Sequence, residues 1–247
     1  MQLNETCAIV TGGASGLGHA TAQYLREKRA QVTVLDHDPR GAEVADQIGA
    51  HFARTDVTDE ASVAAAIAHA VDRMGRITAC INCAGIATGE KTLGRDGPHA
   101  LDSFRRTIEV NLIGSFNVLR LAAAEMAGNP GPERGVIVNT ASIAAYDGQA
   151  GQAAYAASKA GIAGMTLPIA RDLARNGIRI MAIAPGIFGT PMLRGLPQEV
   201  QDSLAAEVTF PKRLGLPEEF ARLVGTILQS EYLNGEVIRI DGALRMR

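Results

Sequence analysis

Along this chain, short apolar or β-branched runs alternate with longer stretches whose apolar positions recur at helical spacing. The short runs read as strands: CAIV (7–10), VTVL (32–35), HFAR (51–54), ITACIN (77–82), GVIVNT (135–140), IRIMAIA (178–184) and EVIRI (236–240). Several are apolar throughout, the pattern of a strand covered on both faces. Helical patterns fill the gaps at 17–29, 41–48, 59–74, 101–127, 152–175 and 217–229. Strand and helix in alternation predict right-handed βαβ units and an α/β fold on a parallel sheet.

Some boundaries follow from side-chain chemistry. Asp59 is placed to cap the helix after it, and LPEEF puts Pro217 and two glutamates in a first helical turn. Pro168 falls inside the pattern at 152–175, where a kink or break is expected. Glycine and proline mark loops at 86–100, 128–135 and 185–197. With no low-complexity linker and no internal repeat, residues 1–247 read as one domain.

Composition narrows the class. A formal charge of -2 over 247 residues gives no reason to expect nucleic acid or an anionic membrane as partner. Three cysteines, Cys7, Cys80 and Cys83, are too few for a disulfide framework and suit a reducing compartment. MQLNETCAIV has no Lys or Arg ahead of its apolar run, and no apolar stretch approaches the ~20 residues of a membrane span. The expectation is a cytoplasmic protein.

TGGASGLG (11–18) lies between the first strand and the first helix. Gly12, Gly16 and Gly18 allow a tight turn with close backbone approach, and the helix N-terminus offers unpaired N–H groups to a pyrophosphate. A plain βα turn would also use such glycines, so the second strand matters. It ends in Asp36, where a carboxylate would accept hydrogen bonds from an adenosine ribose and repel a 2′-phosphate. The two residues directly after it, His37 and Asp38, offer no Arg to receive that phosphate. The combination predicts NAD in a Rossmann-type, doubly wound, seven-stranded parallel sheet with helices on both faces.

Tyr155 and Lys159 are four apart on one helical face, and Ser142 lies just past the strand GVIVNT, where open α/β sheets place their ligand crevice. Tyr155 can exchange a proton with a substrate oxygen that Ser142 hydrogen-bonds, while Lys159 lowers the tyrosine pKa and helps fix the cofactor. Lowering a tyrosine by two units takes about 2.7 kcal/mol, and an ammonium 4–6 Å away supplies about 3–4 kcal/mol at an effective dielectric of ~20. Ser142 and Tyr155 thus also form the expected substrate contact, and no metal is needed. A binding scaffold without turnover would have no use for this set.

With these motifs the chain resembles the short-chain dehydrogenase/reductase family along essentially its whole length. The resemblance implies that Ser15 and Leu17 line the cofactor between the glycines, that Asp56 and Val57 meet the adenine, and that Cys83, Ala84 and Gly85 of NCAG line the pocket. It implies further that Pro185, Gly186, Phe188 and Thr190 of PGIFGT run along the nicotinamide. Asn111 joins Ser142, Tyr155 and Lys159 in a water-mediated proton relay. One departure is Cys83, which stands where the family has a second asparagine. A catalytic thiol there would need a base, and none is nearby in sequence. VNTASIAAYDGQAGQAAYAASKAG, FPKRLGLPEEFARLV and YLNGEVIRIDGALRM resemble the family's NAD-dependent 3-hydroxyacyl-CoA dehydrogenases. This implies oxidation of L-3-hydroxyacyl-CoA to 3-oxoacyl-CoA in fatty-acid metabolism, with a steroid or other small alcohol as the alternative substrate. It also implies a homotetramer packed through the helices near 101–127 and 152–175, and a loop at 86–104 that approaches the CoA, with Lys91 and Arg95 near its phosphates.

Overall fold

A computed structural model describes residues 1–95, 97–195 and 197–246, and the side chains of all of these except Met192 and Arg194. Asp96 and Leu196, in two of the expected loops, lie outside the described residues.

The strands are β1 (Cys7–Thr11), β2 (Gln31–Asp36), β3 (His51–Arg54), β4 (Ala79–Asn82), a small hairpin of β5 (Leu93–Gly94) and β6 (Gly97–Pro98), then β7 (Gly135–Thr140), β8 (Ile178–Pro185) and β9 (Val237–Ile240). Seven of them form one parallel sheet in the order β3-β2-β1-β4-β7-β8-β9. The helices are α1 (Gly16–Glu27), α2 (Gly41–Gln47), α3 (Glu60–Met74), α4 (Leu101–Ile108), α5 (Gly114–Met126), α6 (Ala144–Asp147), α7 (Ala153–Leu173), α8 (Pro191–Arg194), α9 (Gln198–Glu207) and α10 (Pro217–Gln229).

Successive residues of β1 point to opposite faces, and two cores follow. Cys7 and Ile9 join Val63 and Ile67 of α3, Val118 and Leu119 of α5 and Ile169 of α7. Ala8 and Val10 join Ala22 and Leu25 of α1 and Phe220 and Val224 of α10 on the other side. Both faces are therefore covered, which accounts for the continuous apolar strands. The order reverses between β1 and β4, so their carboxyl ends flank the crevice where such sheets bind ligands.

Asp59 caps α3, its carboxylate accepting the Ala61 N–H at 2.9 Å. Pro217 opens α10, and the Glu219 carboxylate accepts the Leu216 N–H at 2.8 Å. Two expectations need correction, and one helix lies outside every expected element. The helix predicted over 101–127 is two helices joined by a π turn at Glu109–Ile113. Of the kink or break expected at Pro168, the break is absent: α7 runs continuously through the proline, with Ile162, Thr166, Ile169 and Ala170 buried on both sides of it. The helix α9 carries no buried residue, which is why its apolar periodicity was too weak to mark it. Among the described residues no helix is long and apolar enough to cross a membrane.

Candidate active site

β1 ends at Thr11 and the chain turns through Gly12 and Gly16, both at positive φ (63° and 57°), into α1. Glycine is required here by space as well as by φ. A Cβ on Gly12 would lie 2.8 Å from the Ala84 nitrogen, and one on Gly18 would lie 2.3 Å from the Gly12 carbonyl oxygen. The glycines thus let the turns after β1 and β4 touch. Ser15, at the N-cap of α1, makes no capping bond, and the first turn holds no acidic residue. Its N–H groups and helix dipole remain available to an anion.

A groove of about 390 Å³ opens at this turn. Gly12, Ser15, Gly16, Leu17, Asp36, Asp56, Val57, Cys83, Ala84, Gly85 and Thr190, all expected from sequence, line it together. Asp36 is held at its mouth, accepting the Ala14 N–H and the Asp38 N–H, each at 3.1 Å. Asp56 accepts the backbone N–H and the hydroxyl of Thr58 at 2.9 and 2.7 Å. These bonds, with the charge of Arg106, hold its carboxyl below the usual range. Sequence reasoning missed Leu35, His37, Thr55, Ile86, Arg106, Val110 and Pro191 as further lining residues. Most are immediate neighbours of expected ones. Arg106 is the exception, since no expected residue stands beside it or one helical turn away on the groove side.

Six expected cofactor contacts do not line the groove, Tyr155 and Lys159 among them, which stand beyond its end. Gly18 packs beneath Gly12. Pro185 accepts the Ile143 N–H at 3.1 Å, and the Gly186 N–H donates to Ile240 at 2.9 Å. The Phe188 ring is buried edge-on to Phe220, centroids 6.4 Å apart. These residues shape the segment that delivers Thr190, because the apolar ring gains more from the core than from an open groove.

Beyond the Gly85 end of the groove stand the four chemical residues. Ser142 is buried after β7, and its Oγ accepts the Ala144 N–H at 3.1 Å. Tyr155, on α7, hydrogen-bonds with Ser142. One turn on, Lys159 is buried, donates to the Thr140 carbonyl at 2.7 Å and lies 5.8 Å from the Tyr155 ring centroid. Asn111, in the π turn, donates to the Ile86 carbonyl at 2.9 Å and to Ser158 Oγ at 3.1 Å, and accepts the Ile86 N–H at 2.8 Å. It therefore ties the strand-end motif to the turn of α7 that carries Lys159.

The electrostatics differ from the sequence expectation. Burial pushes the Tyr155 hydroxyl upward, with the Ser142 hydrogen bond acting in the opposite direction, and burial pulls Lys159 down to about 8. The protein's own field thus does not lower the tyrosine. Both groups are penalised for carrying charge out of water, and the ammonium is held on the Thr140 carbonyl. Cys83 accepts from the Thr140 hydroxyl at 3.4 Å, and burial raises its thiol to about 11, which leaves it a poor nucleophile. Cys7 and Cys80 are core residues with thiols also raised by burial.

Comparison with known proteins agrees with this geometry. A family model described as short chain dehydrogenase matches residues 6–201. The 3-hydroxyacyl-CoA dehydrogenase type-2 of Homo sapiens is 54% identical, over 97% of this chain and 95% of that protein. The Drosophila melanogaster protein of the same name is 52% identical, over 99% of each. A crystal structure of 3-hydroxyacyl-CoA dehydrogenase type-2 from Mycobacterium avium superimposes with a TM-score of 0.93 at 44% identity, covering 97% of this chain and 96% of that one.

Proposed function

Because the chain belongs to the short-chain dehydrogenase family and is an oxidoreductase, we propose that it oxidises L-3-hydroxyacyl-CoA to 3-oxoacyl-CoA with NAD. The observation that carries the reading is the Ser142–Tyr155–Lys159 set, with Ser142 and Lys159 buried and Tyr155 half-buried, beyond the end of a groove lined by Asp36. Full-length similarity to the 3-hydroxyacyl-CoA dehydrogenases supports the substrate class.

The residues present fit a dinucleotide. Gly12 and Gly16 line the groove without a Cβ, Gly18 lets the turn pack beneath them, and Ser15 and Leu17 would present the α1 N-terminus to its diphosphate. Asp36 meets the adenosine ribose and disfavours a 2′-phosphate, and Asp56 and Val57 meet the base. Bound there, NAD+ would supply the hydride acceptor. Ser142 donates to the substrate oxygen and fixes its position. Tyr155 receives the substrate's hydroxyl proton, for which it must itself be deprotonated. Burial opposes that, while the Ser142 hydrogen bond and a protonated Lys159 in the same pocket favour it. Asn111 holds Ile86 and Ser158 in place and thereby supports the relay through Lys159. We assign the enzyme as one cytoplasmic catalytic domain that assembles as a homotetramer, with Lys91 and Arg95 of the 86–104 loop near the CoA phosphates.

Replacing Tyr155 by Phe removes the proton acceptor and little else. Turnover of 3-hydroxybutyryl-CoA should fall about 10²–10⁴-fold, the usual weight of a general acid–base, while calorimetry shows NAD binding within about twofold of wild type. Full turnover by the variant would sink the mechanism. Wild-type activity on uncharged alcohols without any on acyl-CoA would sink the substrate.

A further inference from the structure

The residues lining the groove include one Lys or Arg, and it is Arg106. Its neighbour Arg105 is held on Asp102 at 3.1 Å. Arg106 makes no hydrogen bond or close ion pair with a described residue, although it is exposed beside two carboxylates, Asp36 and Asp56, of the same groove. Asp56 Oδ1 accepts two bonds from Thr58, and Arg106 acts on this carboxylate by charge without a hydrogen bond to it.

Position says what such a guanidinium would meet. The diphosphate end of the groove is the α1 N-terminus at Gly16 and Leu17, and the ribose end of that half is Asp36. Arg106 lines the same groove with Asp56, Val57 and Val110, near enough to Asp56 for its charge to act on that carboxyl. Arg106 and Val110 are four apart and share a helical face. What lies between that face and Asp56 in a bound dinucleotide is the purine base. A guanidinium is planar, weakly hydrated and suited to lie against an aromatic face, which an ammonium matches less well.

Resting on the dinucleotide reading above, we propose that Arg106 is an adenine-contacting residue: its guanidinium closes over the base that Asp56, Val57 and Val110 receive. The groove then recognises the adenine from two sides, by hydrogen bonding at Asp56 and by stacking at Arg106. No part of this contact touches the nicotinamide half.

Calorimetric titration of wild type, Arg106→Gln and Arg106→Lys with ADP-ribose and with nicotinamide mononucleotide tests this. Arg106→Gln should weaken ADP-ribose about 3–20-fold, the range of an exposed to partly desolvated cation–π contact, and leave the mononucleotide unchanged. Arg106→Lys should recover only a minor part of the loss. An unchanged ADP-ribose affinity in Arg106→Gln overturns the contact. Full recovery by lysine, or an equal loss for the mononucleotide, overturns it in favour of a phosphate interaction. If wild type itself fails to bind ADP-ribose, the dinucleotide reading falls, and the proposal with it. Since Arg106 is exposed and bonded to no described side chain, both variants should melt with wild type.

Discussion

Lys159 is a charge placed where water does not reach. Its folded pKa of about 8 lies below the ordinary 10.5, so the protonated form is disfavoured by folding. An unfolded chain binds that proton more tightly, and stability contributed at this position rises with pH between about 8 and 10.5. Below that window the buried ammonium costs the fold up to about 3 kcal/mol, at 1.36 kcal/mol per unit. Lys159→Met should therefore melt higher than wild type near pH 7 while losing turnover, and its advantage should shrink as pH rises through 8–10. Thermal melts across pH check this, and a variant less stable than wild type at pH 7 would contradict it. Tyr155 has the opposite consequence: its raised pKa keeps the proton on in the folded state, so its contribution declines above its ordinary value of 10.0. The spacing of Tyr155 and Lys159 was legible in the sequence because a helix has a fixed period. The direction of their shifts was not, because it depends on what packs over them.

At the scale of elements, the site is held by turns that strand and helix patterns do not mark. The π turn at Glu109–Ile113 aims Asn111 at Ile86 and Ser158. It interrupts no periodicity strongly enough to be seen in advance. A second tie is Arg239 of β9, whose guanidinium donates to Asp147 of α6 at 2.5 Å, to Asp241 at 2.7 Å and to the Leu244 carbonyl at 3.2 Å. The short helix α6 directly follows Ser142, and the Asp241 Cβ would lie 2.9 Å from a Cβ on Gly186. The clamp thus joins the Ser142 turn, the Gly186 segment and the last strand. Arg239→Met removes the cation that Asp147 and Asp241 share, leaving Asp241 with Arg245 at 3.0 Å and Asp147 without its guanidinium. A loss of about 1–2 kcal/mol, discounted for partial exposure, should lower Tm by roughly 2–8 °C. KM for substrate should rise more than the Kd for NAD, whose groove the clamp does not line. An unchanged Tm and KM would show that the cluster carries no weight.

At the scale of the whole molecule, α4, the π turn, α5 and α7 each leave a large apolar side chain exposed. Leu101, Ile113, Phe116 and Leu167 are each 45–59% exposed. Large apolar groups exposed on adjoining helices suit a self-complementary interface. Light scattering should report a tetramer for wild type. An Ile113→Asp/Phe116→Glu double variant should dissociate into smaller species with its secondary structure intact. A monomeric wild type, or a double variant that stays tetrameric, would remove these helices from the interface.

What the sequence by itself determined is local and periodic. The alternation of apolar runs with helical patterns specifies the α/β class, glycine at 12, 16 and 18 specifies a tight turn, and Asp36, Ser142, Tyr155 and Lys159 sit at positions fixed by the ends and periods of their elements. What only the tertiary structure decided depends on residues distant in the chain. Parallel pairing of β1 with β4 brings Gly12 against Ala84. Packing against α10 draws Phe188 away from the groove. The return of α4 to the mouth sets Arg106 opposite Asp56, and burial by elements far apart in sequence reverses the charge balance expected for Tyr155 and Lys159. The physical reason is common to all four: desolvation and close approach are set by non-local contacts, which no single stretch of sequence contains.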